Sequence, residues 1–225
     1  MKKIFAIALC VAMLAIVLVS GTMAYFTDTH AQTNTFTMGK VDIDLSEPNY
    51  TPGENGKLKV FPGQSYEKDP TITVAEDSED CYIIATVTID QRDSLYALYD
   101  GDTTGVKQSW GLSLAGKAGL VSGGVADYEA KGAVENGLSG TLLGDEVFLT
   151  YSEDVAAKTI TYTFYFKNPQ QAGDSQVLFT QVNIPSIIEN GDIQGDLNIV
   201  VNAYAIQSTG FADVYAAYEA YTDQA

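Results

Sequence analysis

The sequence predicts an all-β protein, an antiparallel jelly-roll or β-sandwich with one or two short helices and a short C-terminal helix. Three observations carry this expectation. Apolar and polar residues alternate with period two in several segments, the pattern of strands with one buried face. Gly, Pro, Asn and Asp punctuate those segments, and the strand–helix alternation of a parallel sheet is missing. Fourteen tyrosines, with abundant threonine and valine, suit pleated, half-buried surfaces.

From Thr35, apolar Phe36, Met38, Val41, Ile43 and Leu45 alternate with Thr37, Lys40, Asp42 and Asp44. Gly39 shifts the phase once, so the segment reads as a bulged strand. Residues 48–56 read as a turn-rich loop. A short strand follows at 57–61, closed by Pro62-Gly63, and another at 71–74. Residues 76–80 form an acidic loop. Segment 81–90 (CYIIATVTID) is the strongest strand signal, partly continuous and partly alternating, which places it centrally. Residues 92–99 suggest a short helix with Leu95, Leu98 and Tyr99 on one side.

The pattern weakens over 100–144, which reads as a long excursion with a short helix or hairpin. Strands return at 146–151 and 159–166 around a turn at 152–158. A loop spans 169–175. Two further strands, 177–184 and 197–206, are separated by Pro185 and the Asn190-Gly191-Asp192 turn. Residues 211–221 form a small amphipathic helix, with Phe211, Val214, Tyr215, Tyr218 and Tyr221 near one face. The expected total is eight to ten strands.

The first residues have the layout of a secretory signal peptide. Lys2 and Lys3 precede an apolar run from residue 4 to 19, then Ser20-Gly21-Thr22-Met23-Ala24. That run is shorter than the roughly 20 residues of a relaxed membrane span. Cys10 lies too early for a lipoprotein site and follows Leu9 where a small residue is needed. The expected division is 1–24 signal peptide, cleaved after Ala24 or one residue later at Tyr25, then 25–34 as an N-terminal arm and 35–225 as one β domain. Membrane contact is expected only through the signal peptide before cleavage. Cleavage removes two lysines, so the formal charge of −17 becomes −19. Only Cys81 remains, which leaves no internal disulfide.

Acidity excludes whole classes of partner. With 29 Asp+Glu against 12 Lys+Arg, the chain lacks the basic footprint that phosphate backbones require. The single histidine, His30, lies in the polar arm, where it cannot be held as a general base. One histidine cannot supply a His-Glu-x-x-His zinc site, and one mature cysteine excludes a Cys-rich one. No cofactor is expected. Asp100 and Asp102 imitate the start of a calcium loop whose closing acid is missing, and Asp77 and Asp80 belong to the acidic 76–80 cluster. These four are weak calcium candidates, since charge runs are mostly solvated.

Two N-terminal runs resemble one family. Gly21-Thr22-Met23-Ala24-Tyr25-Phe26-Thr27-Asp28, and Asn34-Thr35-Phe36 continuing to Ile43, are similar to the N-termini of the TasA/camelysin family. Pro62-Gly63-Gln64 before Lys68-Asp69-Pro70, and the tail from Ala203 to Asp213, extend the resemblance more softly. It implies removal of the leader by a SipW-type signal peptidase, a jelly-roll body and assembly into extracellular biofilm fibres. In such fibres the arm of one subunit completes the sheet of the next, here through Tyr25, Phe26, Thr27 and Thr29. Camelysin-type members have been described as metalloendopeptidases, but no matching metal ligands are visible here.

The resulting expectation is a non-enzymatic, secreted matrix protein at the cell surface. Its partners would be copies of itself and, as a second class, other matrix proteins. The alternatives are a secreted monomeric binding module using Tyr96, Tyr99 and Trp110 for carbohydrate or another surface ligand, and, third, a camelysin-like secreted hydrolase.

Overall fold

A computed structural model describes residues 40–53, 58–98, 121–184, 186, 188–189, 191–193 and 195–223. In chain order the strands are β1 (Ile43–Ser46), β2 (Ser65–Glu67), β3 (Thr71–Val74) and β4 (Cys81–Ile89). Helix α1 (Arg92–Leu98) follows, then β5 (Val121–Ser122), a 3-10 turn (Gly124–Asp127), β6 (Ala130–Glu135) and β7 (Leu138–Leu143). The chain continues through β8 (Val147–Asp154), β9 (Thr159–Phe166), β10 (Ser175–Val177), β11 (Gln181–Asn183) and β12 (Ile199–Gln207) to helix α2 (Val214–Thr222).

Every pairing between these strands is antiparallel. A six-stranded sheet has the order β12-β4-β9-β8-β7-β6, and two three-stranded sheets have the orders β1-β3-β10 and β2-β11-β5. The molecule is an all-β sandwich. Alternation on the central strands shows why. Ile160, Tyr162, Phe164 and Phe166 of β9 and Cys81, Ile83, Ala85, Val87 and Ile89 of β4 point to one face. There they share a core with Ile72 and Val74 of β3, Val121 of β5 and Val182 of β11. Strand β4 lies between β12 and β9, the central place its continuous apolar run predicts.

The opposite face of the large sheet has its own covering. Tyr82, Ile84, Phe148 and Tyr165 pack under Val214, Tyr215 and Ala217 of α2. Asp213 caps that helix, its carboxylate accepting from the Ala216 amide at 2.9 Å. The β6–β7 hairpin turns at Asn136-Gly137, where both residues have positive φ (47° and 76°), the geometry that Asn-Gly favours. At Gly124, φ is 58° and a Cβ would stand 2.3 Å from the Val177 carbonyl oxygen, so no other residue fits there without backbone movement.

Several expectations are corrected. The described part of 57–61 is not a strand; Val60 and Phe61 are exposed and no ladder partner reaches them. The run 177–184 is not one strand. Leu178 and Phe179 are both fully buried, and between them the chain leaves the β3 sheet and joins the β5 sheet as β11. The turn expected at 152–158 is shorter, because β8 runs on to Asp154. The second half of the 100–144 excursion holds a strand, a 3-10 turn and the β6–β7 hairpin. The described residues thus hold twelve strands where eight to ten were expected.

Candidate functional site

Among the described residues, a groove of about 410 Å³ lies between two end strands. Strand β2 ends one small sheet and β12 ends the large one. The groove is flanked by Tyr66, Glu67 and Lys68 on the β2 side and by residues 195–200, leading into β12, on the other. Val182, Ile184, Leu58 and Val60 add apolar surface. Alternation places Ile199 and Val201 toward the core and Val200 outward, 50% exposed.

The polar wall is held in place. Lys68 pairs with Glu47 and lies over the Tyr50 ring, 4.8 Å from its centroid. Asn49 donates to both carboxylate oxygens of buried Asp69, at 3.0 Å from its amide and 2.8 Å from its side chain. The Phe61 amide donates to Tyr66 Oη at 2.7 Å, tying the 58–61 segment to β2. Exposed end strands present backbone donors and acceptors to any extended chain that aligns with them.

A second polar cluster closes one end of the sandwich. Glu153 Oε1 accepts from Tyr96 Oη at 2.5 Å and from Tyr151 Oη at 2.8 Å. Arg92 donates to Glu153 Oε2 at 2.7 Å and stacks on the Tyr96 ring. Burial pushes the Glu153 carboxyl up, but the bonds from Tyr96, Tyr151 and Arg92 outweigh it and hold the group below the usual glutamate range. A carboxylate depressed in the folded state stabilises above its unfolded pKa, and the stabilisation is lost as pH falls through the folded one. Glu153→Gln is therefore expected to cost about 1–3 kcal/mol near neutral pH. The gap from wild type should narrow below about pH 4, in denaturant titrations at both pH values.

Tyr96 is consequently no open binding platform: it is only 9% exposed and its hydroxyl is engaged. Tyr99 and Trp110, the other aromatics of that reading, lie outside the described residues, as do His30, Ala24, Tyr25, Phe26, Thr27, Thr29, Asp100 and Asp102. Asp77 is described, and Lys40 occupies its carboxylate at 3.0 Å while also pairing with Asp42 at 2.9 Å. The hydrogen bond from Lys40 holds the Asp77 carboxyl below its ordinary range. The Asp80 carbonyl accepts from the Ser208 amide and hydroxyl, both at 2.9 Å. The groove residues were not singled out from sequence. The available signal was the alternation of Leu197, Ile199 and Val201 beside Gly195-Asp196.

Among the described residues, the chain is an antiparallel sandwich in which β2 and β12 each pair with a strand on one side only and flank the groove. A family model described as Camelysin metallo-endopeptidase matches residues 1–72. Over that first third of the chain the match bears out the TasA/camelysin resemblance. No curated protein matches the chain, and no solved structure does.

The described residues do not fit the catalytic metal that this family description implies. Such a site needs about three converging protein ligands. Among the described residues no three His, Cys, Asp or Glu side chains come together in that way. Burial, then Asp80 and Asp174, push the Cys81 thiol up to about 11, far from a ready thiolate.

Proposed function

We propose that this chain is a secreted structural protein of an extracellular matrix, and that its copies assemble head to tail into fibres. The N-terminal arm of one copy, residues 25–33, would enter the groove between β2 and β12 of the next. The observation that carries this reading is the pair of end strands flanking one partly apolar groove. In an extended arm Tyr25, Thr27, Thr29, Ala31 and Thr33 share one face, while Phe26, Asp28, His30 and Gln32 lie on the other. The first face is the one suited to the groove. A groove and an arm at different places on one chain make a heterologous contact, which propagates into a filament when the rotation between copies does not close a ring.

Secretion is supported by the leader-like residues 1–24. Among the described residues, no helix is long and apolar enough to cross a membrane. Two sets of groups with shifted titration are engaged internally, which favours a structural role over a catalytic one. Glu153 and Tyr151 form one such set, and Glu135 and Tyr215 another.

Electron microscopy and sedimentation of protein beginning at Tyr25 test the reading. Filaments that lengthen with protein concentration are expected. Particles that stay monomeric at every concentration would overturn it.

A further inference from the structure

Outside the groove, the densest chemistry on the molecule is a chain of aromatic rings on the face covered by α2. Phe148 and Tyr165 both meet Tyr215, with centroids 5.9 and 5.3 Å apart. Tyr165 meets Tyr218 edge-on at 5.6 Å, and Tyr218 stacks on Tyr221 at 6.4 Å. Tyr221 in turn meets Tyr204 at 5.7 Å, with the rings inclined by 49°. The chain therefore runs from a buried end at Phe148 to an exposed one, where Tyr221 is 43% exposed.

Position separates the last pair from the others. Tyr204 stands on end strand β12, in register with Ile84 of β4, and is half-buried. Tyr221 stands in the final turn of α2, which ends at Thr222. Helix ends fray, so this turn can move by the ångström or so that brings two ring edges into contact. Tyr218 and Tyr221 lie three residues apart on one helix, with rings inclined by 23° and centroids 6.4 Å apart, wider than the 5.7 Å between Tyr204 and Tyr221. Tyr215 is tied down by its hydrogen bond to Glu135 at 2.5 Å.

We infer that Tyr204 and Tyr221 form an oxidative modification site, at which a peroxide-driven one-electron oxidant joins the two rings as an intramolecular dityrosine. Each phenol gives up one electron and one proton. The two phenoxyl radicals form a carbon–carbon bond between ring positions ortho to the oxygens, and tautomerisation restores both hydroxyls. A peroxidase supplies the oxidant, and one hydrogen peroxide takes up the two electrons and two protons as two waters. The bond fastens α2 covalently to the end strand of the large sheet. This stands whether or not the chain forms fibres.

Tyr128 supplies the internal comparison. It is 39% exposed, close to Tyr221, but has no tyrosine ring against it among the described residues. If exposure alone governed reaction, the two would behave alike.

The experiment treats dilute protein with peroxidase and limiting hydrogen peroxide. Cleavage ahead of Asp196, Asp213 and Asp223 puts Tyr204 and Tyr221 on separate peptides for mass spectrometry. The expected product is a monomer lighter by two hydrogens, with the blue dityrosine fluorescence and one linked pair, Tyr204 to Tyr221. Its yield should not depend on protein concentration. Tyr204→Phe and Tyr221→Phe, which keep the ring packing, should each abolish the link, and Tyr128→Phe should leave it. Links only between molecules, a link from Tyr204 to Tyr218, or hydroxylated tyrosines without any link would each overturn the inference.

Discussion

Deleting residues 25–33 is expected to leave a folded monomer that forms no fibres. Strand addition draws affinity from backbone hydrogen bonds and from side chains filling the groove. One aromatic anchor, Tyr25 or Phe26, contributes about 2–3 kcal/mol when buried, or roughly a hundredfold in the association constant. A filament repeats that loss at every joint, so assembly should fail outright while the circular dichroism spectrum stays β-type. The groove gives the complementary variant. Val60 lines it and is 40% exposed, so Val60→Asp should block assembly while changing fold stability by no more than about 0.5 kcal/mol. An arm that instead packs on its own body predicts the reverse: deletion lowers the melting temperature and spares polymerisation. Truncated protein that assembles at the wild-type concentration threshold would rule out strand exchange in this chain.

Local alternation made the central strands readable. The sequences of β4 and β9 show nearly unbroken apolar positions on one face, and both strands lie in the middle of the large sheet. Pairing is not local, and there the reading failed. Leu58-Lys59-Val60 alternates as well as many strands do, yet nothing aligns with it and Lys59 sits over the Phe61 ring instead. In 177–184 the informative detail was Leu178-Phe179, two large apolar residues in succession. A strand with one buried face cannot bury both, and a chain crossing from one sheet to another can.

The candidate site divides in the same way. Its arm motif is local, so residues 21–28 together with 34–43 suggest the family. Its groove is assembled from residues near positions 50, 60, 66, 183 and 198, and no window of sequence contains them together. The α2 face was visible as a helical stripe of tyrosines. That the stripe continues onto β12 through Tyr204 follows only from the sheet register.

Phe164→Ala is the substitution within the body expected to cost most. Phe164 is fully buried at the middle of β9, opposite Ala85 on one side and Leu149 on the other. Ala85 is small, so the phenyl ring fills space that its neighbour leaves open. Both flanking strands are held by continuous backbone ladders, and the layers cannot close over the gap. Truncating a buried Phe costs about 3–5 kcal/mol, the lost transfer energy plus the cavity. Against a total of about 5–15 kcal/mol for a domain, that is a large share. For a chain of this size the melting temperature should fall by roughly 6–20 °C, with the denaturant slope unchanged. Phe61→Ala is the control: the ring is 53% exposed and outside the core, so its loss should stay within about 0.5 kcal/mol. Equal losses at the two positions would mean that the two-layer core does not govern stability here. A Phe164 loss below about 1 kcal/mol would mean that the strands on either side relax into the cavity.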